Sequence, residues 1–175
     1  MKSATILMMG DSLVDFGNWR QLLPGYSVIN RGMPGERARE LLARVSHGSC
    51  HETVDGVIVM TGTNDLLSGT TDLAETMQAI ISRIQQNYPA SIIMINSLVP
   101  FQIPHLQKTV RRVNTDLHSI AETTGATYLD LYQRFEESGK TLFEYDGVHL
   151  NNSGYQLWAE LLSEVLGTLL AKDRD

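Results

Sequence analysis

Gly10-Asp11-Ser12-Leu13 follows directly on the apolar run Ala4–Met9, and Asp146-Gly147-Val148-His149-Leu150 lies near the other end of the chain. Together they hold a hydroxyl, an imidazole and a carboxylate. A serine hydroxyl is a poor nucleophile at neutral pH until a base takes its proton, and the base needs a third group to orient it. Ser12, His149 and Asp146 fill those three roles, the set that acyl transfer through a serine requires. Of the five histidines, at 47, 51, 105, 118 and 149, only His149 has an acid at close spacing in a loop at the same sheet edge as Ser12. His118 falls mid-helix and is expected to face solvent. His105 opens a helix, and His47 and His51 flank Gly48-Ser49-Cys50.

Acyl transfer also needs donors aimed at the developing oxyanion. The backbone N–H groups of Ser12 and Gly32 and the side-chain amide of Asn64 are candidates. Gly32 has no Cβ, so its backbone can approach a substrate closely. Each residue also has a plain structural reading. Ser12 suits a helix N-cap. Asp146-x-x-His149, Gly32 in Asn30-Arg31-Gly32-Met33-Pro34-Gly35 and Asn64 in Gly62-Thr63-Asn64-Asp65 all suit turns or caps. The segment around Ser12 is not a Gly-x-Ser-x-Gly nucleophile elbow, because Val14 stands where the second glycine would be.

The elements that would gather these residues alternate along the chain. Short apolar runs predict strands at Ala4–Met9, Tyr26–Asn30, Val54–Met60, Ser91–Asn96 and Thr127–Leu129. Between them, Ala38/Leu41/Leu42/Val45, Leu73/Met77/Ile80/Ile84 and Leu106/Val110/Val113/Leu117/Ile120/Ala121 recur at helical spacing. Asp72 with Glu75 predicts a cap and its partner for the second helix. Pro104 suits the first turn of the third, and Gly125 its stop. The last helix carries Leu157, Trp158, Leu161, Leu162, Val165, Leu166 and Leu169, with Ser153-Gly154-Tyr155-Gln156 as its expected capping box. Such alternation implies a parallel sheet with helices on both faces, whose ligands bind beyond the carboxyl ends of the strands. Ser12 follows the first strand, Gly32 the second and Asn64 the third, while Asp146 and His149 follow the fifth. All the candidate groups therefore converge on one sheet edge.

The bulk properties fit one domain spanning residues 1–175. Hydrophobic content is 42%, charged content 19% and net charge −6, an ordinary globular balance that argues against nucleic acid or an anionic membrane surface as partner. With one cysteine, Cys50, no intrachain disulfide can form, as suits a reducing compartment. The N-terminal apolar run is too short for a signal peptide and no run reaches transmembrane length, so the expected location is cytoplasmic with no stable membrane anchor. The helix stripes are needed to cover the sheet, which leaves none to specify a second copy.

The four segments resemble the sequence blocks of the SGNH, or GDSL-type, hydrolase family. Gly10-Asp11-Ser12-Leu13 matches the block that names it, and Arg31-Gly32 with Pro34-Gly35 resembles its glycine block. Gly62-Thr63-Asn64-Asp65 and Asp146-Gly147-Val148-His149-Leu150 resemble the two that follow. The resemblance spans nearly the whole chain, and its nearest flavour is that of small lysophospholipase, thioesterase and acetylhydrolase-like members. It implies a flavodoxin-like three-layer fold with strand order 2-1-3-4-5. It also implies hydrolysis of carboxylic esters or thioesters without metal or cofactor. By the same resemblance Ser12 is the nucleophile, His149 the base and then acid, and Asp146 its orienter. Ser12, Gly32 and Asn64 form the oxyanion hole, and Asp11, which has no chemical step, is read as fixing the loop through hydrogen bonds.

For the substrate, Leu66 and Leu67 after the Asn64 block, and Leu98, Val99 and Phe101 after the fourth strand, are candidates to line an acyl pocket. Packing beneath a loop is the alternative for each. A lysophospholipase or acyl-esterase activity and a carbohydrate O-acetylesterase both fit a serine hydrolase. Trp19 and Trp158 are too isolated to form a sugar platform, and Trp158 falls on a core stripe. A different class, a non-catalytic phosphate-binding module using Gly10-Asp11-Ser12, leaves Asn64 and the Asp146/His149 pair without a role.

Overall fold

The computed structural model describes residues 3–47 and 53–172, so Cys50 and His51 lie outside the described residues. Five parallel strands form one sheet in the order β2-β1-β3-β4-β5. They are β1 (Ala4–Gly10), β2 (Tyr26–Gly32), β3 (Gly56–Met60), β4 (Ile92–Asn96) and β5 (Thr127–Leu129). The parallel direction is what the strand–helix alternation implies, and the order is what the family resemblance implies. β3 is buried throughout and β1 almost so, as expected for strands covered on both faces. β2 runs to Gly32, two residues past its expected end at Asn30. That extension pairs Gly10 with both Gly32 and Met60, so the three strand ends lie level.

The helices are α1 (Ser12–Asp15), α2 (Trp19–Leu22), α3 (Ala38–His47), α4 (Thr63–Leu67), α5 (Ala74–Asn87), α6 (Gln107–Thr124), α7 (Leu131–Glu137) and α8 (Asn152–Lys172). The stripe residues Leu41, Met77, Ile80, Ile84, Val113, Leu117, Leu162 and Leu166 are all at most 1% exposed. Trp158 is fully buried and meets Trp19 edge-on, with ring centroids 4.8 Å apart. Pro104 opens a single 3-10 turn that leads into α6, and Gly125 ends that helix.

Two expected caps are corrected. The residue before α5 is Leu73, with no side-chain cap bond. Leu73 is buried, and seating it in the core puts the cap position one residue beyond Asp72 and the helix start at Ala74. At α8, Asn151 does the capping: its Oδ1 accepts from the Gly154 N–H at 3.0 Å. Its Nδ2 meanwhile donates to the carbonyls of Thr141 and Phe143. Ser153 falls inside the first turn. A capping residue that also ties down the preceding loop makes more bonds than a serine could.

Candidate active site

The level ends of β2, β1 and β3 create one edge, and each strand hands the chain to a tight turn there. After β1, Asp11 caps α1: its Oδ1 accepts from the Leu13 N–H at 3.0 Å. The cap is therefore Asp11 and not Ser12, which leaves the serine hydroxyl available. Burial pushes the Asp11 carboxyl up to about 6, against the opposing pull of the Leu13 N–H and the nearby Thr63 hydroxyl. Tyr155 of α8 donates its hydroxyl proton to the Leu13 carbonyl at 3.0 Å. Trp19 Nε1 donates to the Val14 carbonyl at 2.7 Å. The turn that presents Ser12 is thus held from below, from α8 and from α2.

The second half of the site comes from the loop between α7 and α8. Phe143 and Leu150 form an antiparallel bridge and are both buried. The Glu144 N–H donates to the His149 carbonyl at 2.8 Å, and the Gly147 N–H to the Glu144 carbonyl at 3.0 Å. Gly147 has φ +70°, and a Cβ there would lie 2.9 Å from Gln102 Cβ, so the turn needs glycine. Asp146 Oδ1 accepts from the N–H groups of Val148 and His149, both at 2.9 Å, and Oδ2 faces His149 Nδ1 at 2.6 Å. The bond to His149 comes first, and that to Val148 second, in holding the Asp146 carboxyl down at about 2.

The two halves meet. Ser12 Oγ lies 3.0 Å from His149 Nε2, across 137 residues of sequence. The ionised Asp146 can only accept, so the His149 proton sits on Nδ1, and Nε2 offers its lone pair to the Ser12 hydroxyl. Ser12 is 7% exposed, and the His149 and Asp146 side chains 34% and 50%, so the site opens to solvent on the histidine side. Phe16 packs beside the imidazole with centroids 5.4 Å apart.

The Ser12 N–H belongs to the first turn of α1, where helix N–H groups have no intrahelical acceptor. Asn64 directs Nδ2 to the Glu36 carbonyl at 3.0 Å, which uses one of its two amide hydrogens and leaves the second. Gly32 is packed so closely on α1 that a Cβ would lie 2.3 Å from the Asp15 nitrogen. Its N–H, however, already has an acceptor: Asn30 Oδ1, at 2.9 Å. Asn30 lies outside the four motif segments of the sequence. Its place two residues before Gly32 in a strand, on the same face of the pleat, was the available signal.

The acyl-pocket candidates divide. Leu66, Leu98, Val99 and Phe101 are at most 1% exposed, packed in the core. They have no surface to offer a ligand, because the segments after β3 and β4 turn inward and fill the space under the site. Leu67, 44% exposed at the end of α4, is the one that reaches solvent. Phe16, Met33 and Tyr145 are also exposed large apolar residues, each close in sequence to a candidate catalytic or oxyanion residue. Beside His149 a groove of about 680 Å³ runs between α1, α2 and α8. Of the other histidines, His118 is half exposed with its ring edge-on to Tyr128, His105 lies in the 3-10 turn and His47 at the end of α3.

The family model described as "GDSL-like Lipase/Acylhydrolase family" matches residues 8–157. The platelet-activating factor acetylhydrolase IB subunit alpha1 of Bos taurus is 28% identical over 184 residues, covering 99% of this chain and 79% of its own. The solved structure of Axe2, an acetylxylan esterase from Geobacillus stearothermophilus, superposes with a TM-score of 0.80 at 20% identity, over 95% of each chain. LAE5, an alpha/beta hydrolase enzyme from the metagenome of Lake Arreo, superposes with a TM-score of 0.76 at 18% identity, over 94% of this chain and 95% of its own.

Proposed function

The chain belongs to the GDSL-like lipase/acylhydrolase family and is a carboxylic ester hydrolase, and from that premise we propose that it acts through an acyl-enzyme on Ser12. The observation that carries this reading is the unbroken line Ser12 Oγ, His149 Nε2, His149 Nδ1, Asp146 Oδ2, with gaps of 3.0 and 2.6 Å. The Ser12 hydroxyl attacks the ester carbonyl as His149 Nε2 takes its proton. Charge developing on the carbonyl oxygen is met by the Ser12 N–H and the second amide hydrogen of Asn64. The Gly32 N–H joins them as a shared donor while it also bonds Asn30. The C–O bond to the alcohol breaks as Nε2–H protonates the leaving oxygen. Water then attacks the acyl-serine by the same route and restores the hydroxyl.

Short acyl groups suit the site best. The residues that could have formed a deep acyl pocket, Leu66, Leu98, Val99 and Phe101, are themselves packed in the core, which favours an acetyl-sized or similar group over a long chain. The acetylhydrolase and acetylxylan esterase names of the relatives agree with this. The test is covalent labelling by a fluorophosphonate together with hydrolysis of phenyl acetate. The wild type should gain one phosphonyl group, mapped to Ser12, and Ser12→Ala should neither label nor turn over. Wild-type turnover by Ser12→Ala would sink the acyl-enzyme.

A further inference from the structure

Glu36 is held at three points, and each bears on the proposed oxyanion hole. Its N–H donates to the Met33 carbonyl at 3.1 Å, closing a turn with Pro34 and Gly35 at its centre. Met33 in turn donates its own N–H to the Gly10 carbonyl at 2.8 Å, so the turn that follows Gly32 is pinned to the end of β1. The Glu36 carbonyl accepts from Asn64 Nδ2 at 3.0 Å. The Glu36 carboxylate, only 6% exposed, takes two bonds from Arg44 of α3: Nε donates to Oε1 at 2.8 Å and Nη2 to Oε2 at 2.7 Å. A guanidinium forked on a carboxylate fixes direction as well as distance.

Resting on the acyl-enzyme reading above, we propose that Arg44 is a positioning residue for the oxyanion hole: through the buried Glu36 it holds the carbonyl that aims the Asn64 amide. A carboxamide is planar, so anchoring one hydrogen of Asn64 Nδ2 on the Glu36 carbonyl sets where the second hydrogen points. If that carbonyl shifts, the free hydrogen swings away from the developing charge. A buried ion pair contributes little net stability, because desolvation of both charges offsets their attraction, and its best-attested use is to fix a register. The register fixed here is that of one peptide unit between Gly32 and Asn64. Asp65 Oδ2 accepts from the Ala38 N–H at 2.9 Å, which ties the backbone of α4 to the start of α3. That second tie leaves the aim of the Asn64 side chain to Glu36. The Glu36 charge also reaches the buried Asp11, the cap of the Ser12 turn, and raises its carboxyl. Arg44 thus acts through Glu36 and Asn64 and not on the ester itself.

The experiment is a kinetic double-mutant cycle between Arg44 and Asn64, read on phenyl acetate. Arg44→Met should lower kcat about tenfold with KM changed less than about twofold, since a mis-aimed donor weakens the transition state alone. Arg44→Lys, which keeps the charge and loses the fork, should lower kcat only about threefold. In the Asn64→Ala background either change should alter kcat by less than about twofold, because the amide being aimed is gone. Val45→Ala, a core truncation at the next position of α3, is the control: it should lower stability in denaturant melts and leave kcat within about twofold of wild type. Should Arg44→Met fail to fold, Arg44→Lys carries the same cycle. Wild-type kcat in both Arg44 variants, a loss that persists in Asn64→Ala, or an equal loss in Val45→Ala would overturn the positioning role and leave the esterase intact. Full kcat in Asn64→Ala would overturn the oxyanion role of Asn64 and the proposal with it. A wild type that does not hydrolyse phenyl acetate would overturn the esterase reading itself.

Discussion

Asn30 Oδ1 accepts the Gly32 N–H at 2.9 Å while Asn30 Nδ2 donates to the carbonyls of Val14 and Asp15, at 3.1 and 3.0 Å. One side chain thus ties the proposed oxyanion glycine to the far end of the helix that carries Ser12. Asn30→Ala removes three hydrogen bonds and should lower stability by about 1–3 kcal/mol. Because Gly32 then moves independently of α1, kcat on an aryl acetate should fall on the order of tenfold with KM little changed. Denaturant melts and steady-state kinetics on one preparation check both. Unchanged kcat in a destabilised protein would reduce Asn30 to a strut.

Asn64 is held by one amide hydrogen on the Glu36 carbonyl at 3.0 Å. Asn64→Ala should cost on the order of 10²–10³ in kcat, the size of an oxyanion donor's contribution in other serine hydrolases. Asn64→Asp should cost more, since a carboxylate would face the developing negative charge. A loss confined to KM would show that Asn64 binds the ground state and does not stabilise the transition state.

Asp146 is held at about 2, first by its bond to His149 and then by that to Val148. Above roughly pH 4 it is ionised and does not titrate with the reaction. Asp146 should therefore add no ionisation of its own to the pH–rate profile above that pH. Asp146→Asn should lower kcat by on the order of 10²–10⁴ through loss of the Nδ1–H tautomer. Unchanged kcat in Asp146→Asn would show that the carboxylate does not orient the histidine.

Asp11 has the opposite shift. Burial raises it to about 6; the nearby His149 lowers it and the Glu36 carboxylate raises it further. A carboxyl that holds its proton in the folded state to higher pH than in the unfolded chain makes folding less favourable as pH rises. From about pH 4 to about pH 6 the folded protein binds more protons than the unfolded, so this group's contribution falls over that window and is flat above it. Asp11→Asn keeps an acceptor for the Leu13 N–H without the charge. It should raise stability at pH 7 by on the order of 1–3 kcal/mol and remove that fall. Parallel pH dependences for the two proteins would refute the assignment.

Phe101 and Leu67 separate packing from substrate contact. Phe101→Ala, at a fully buried site, should cost about 3–5 kcal/mol and leave the preference between acetate and butyrate esters alone. Leu67→Trp, on exposed α4 surface, should change stability by less than about 0.5 kcal/mol and shift that preference severalfold. A shift from Phe101→Ala at constant Leu67 would return the core residue to the acyl pocket.

Much of the candidate site is legible in the sequence because the proposed chemistry is written in residue types. Ser12, Gly32, Asn64 and the Asp146/His149 pair each stand just past a strand or in the last loop, and a parallel sheet gathers strand ends on one edge. Even the role of Asp11 in fixing the loop could be read from its motif, and its bond to Leu13 is the physical form that role takes. Helix caps were less legible. Asp72 and Ser153 have the right type at the right spacing, yet burial of Leu73 and the triple bonding of Asn151 chose other starts.

What the one-dimensional pattern determined, then, was the strand order's consequence: a hydroxyl, an imidazole and a carboxylate delivered to a common edge, because local periodicity decides strand and helix and βαβ connection decides direction. The Ser12–Asp146–His149 constellation depends on those local rules. Only the folded chain decided that Asn30 occupies the Gly32 N–H and that four of the five apolar residues proposed for a pocket face inward. It alone decided that α2 and α8, more than a hundred residues apart, enclose a groove beside the histidine. Those outcomes rest on side-chain direction and on packing between distant segments. Both are set by the competition for one shared core and not by any local run of sequence.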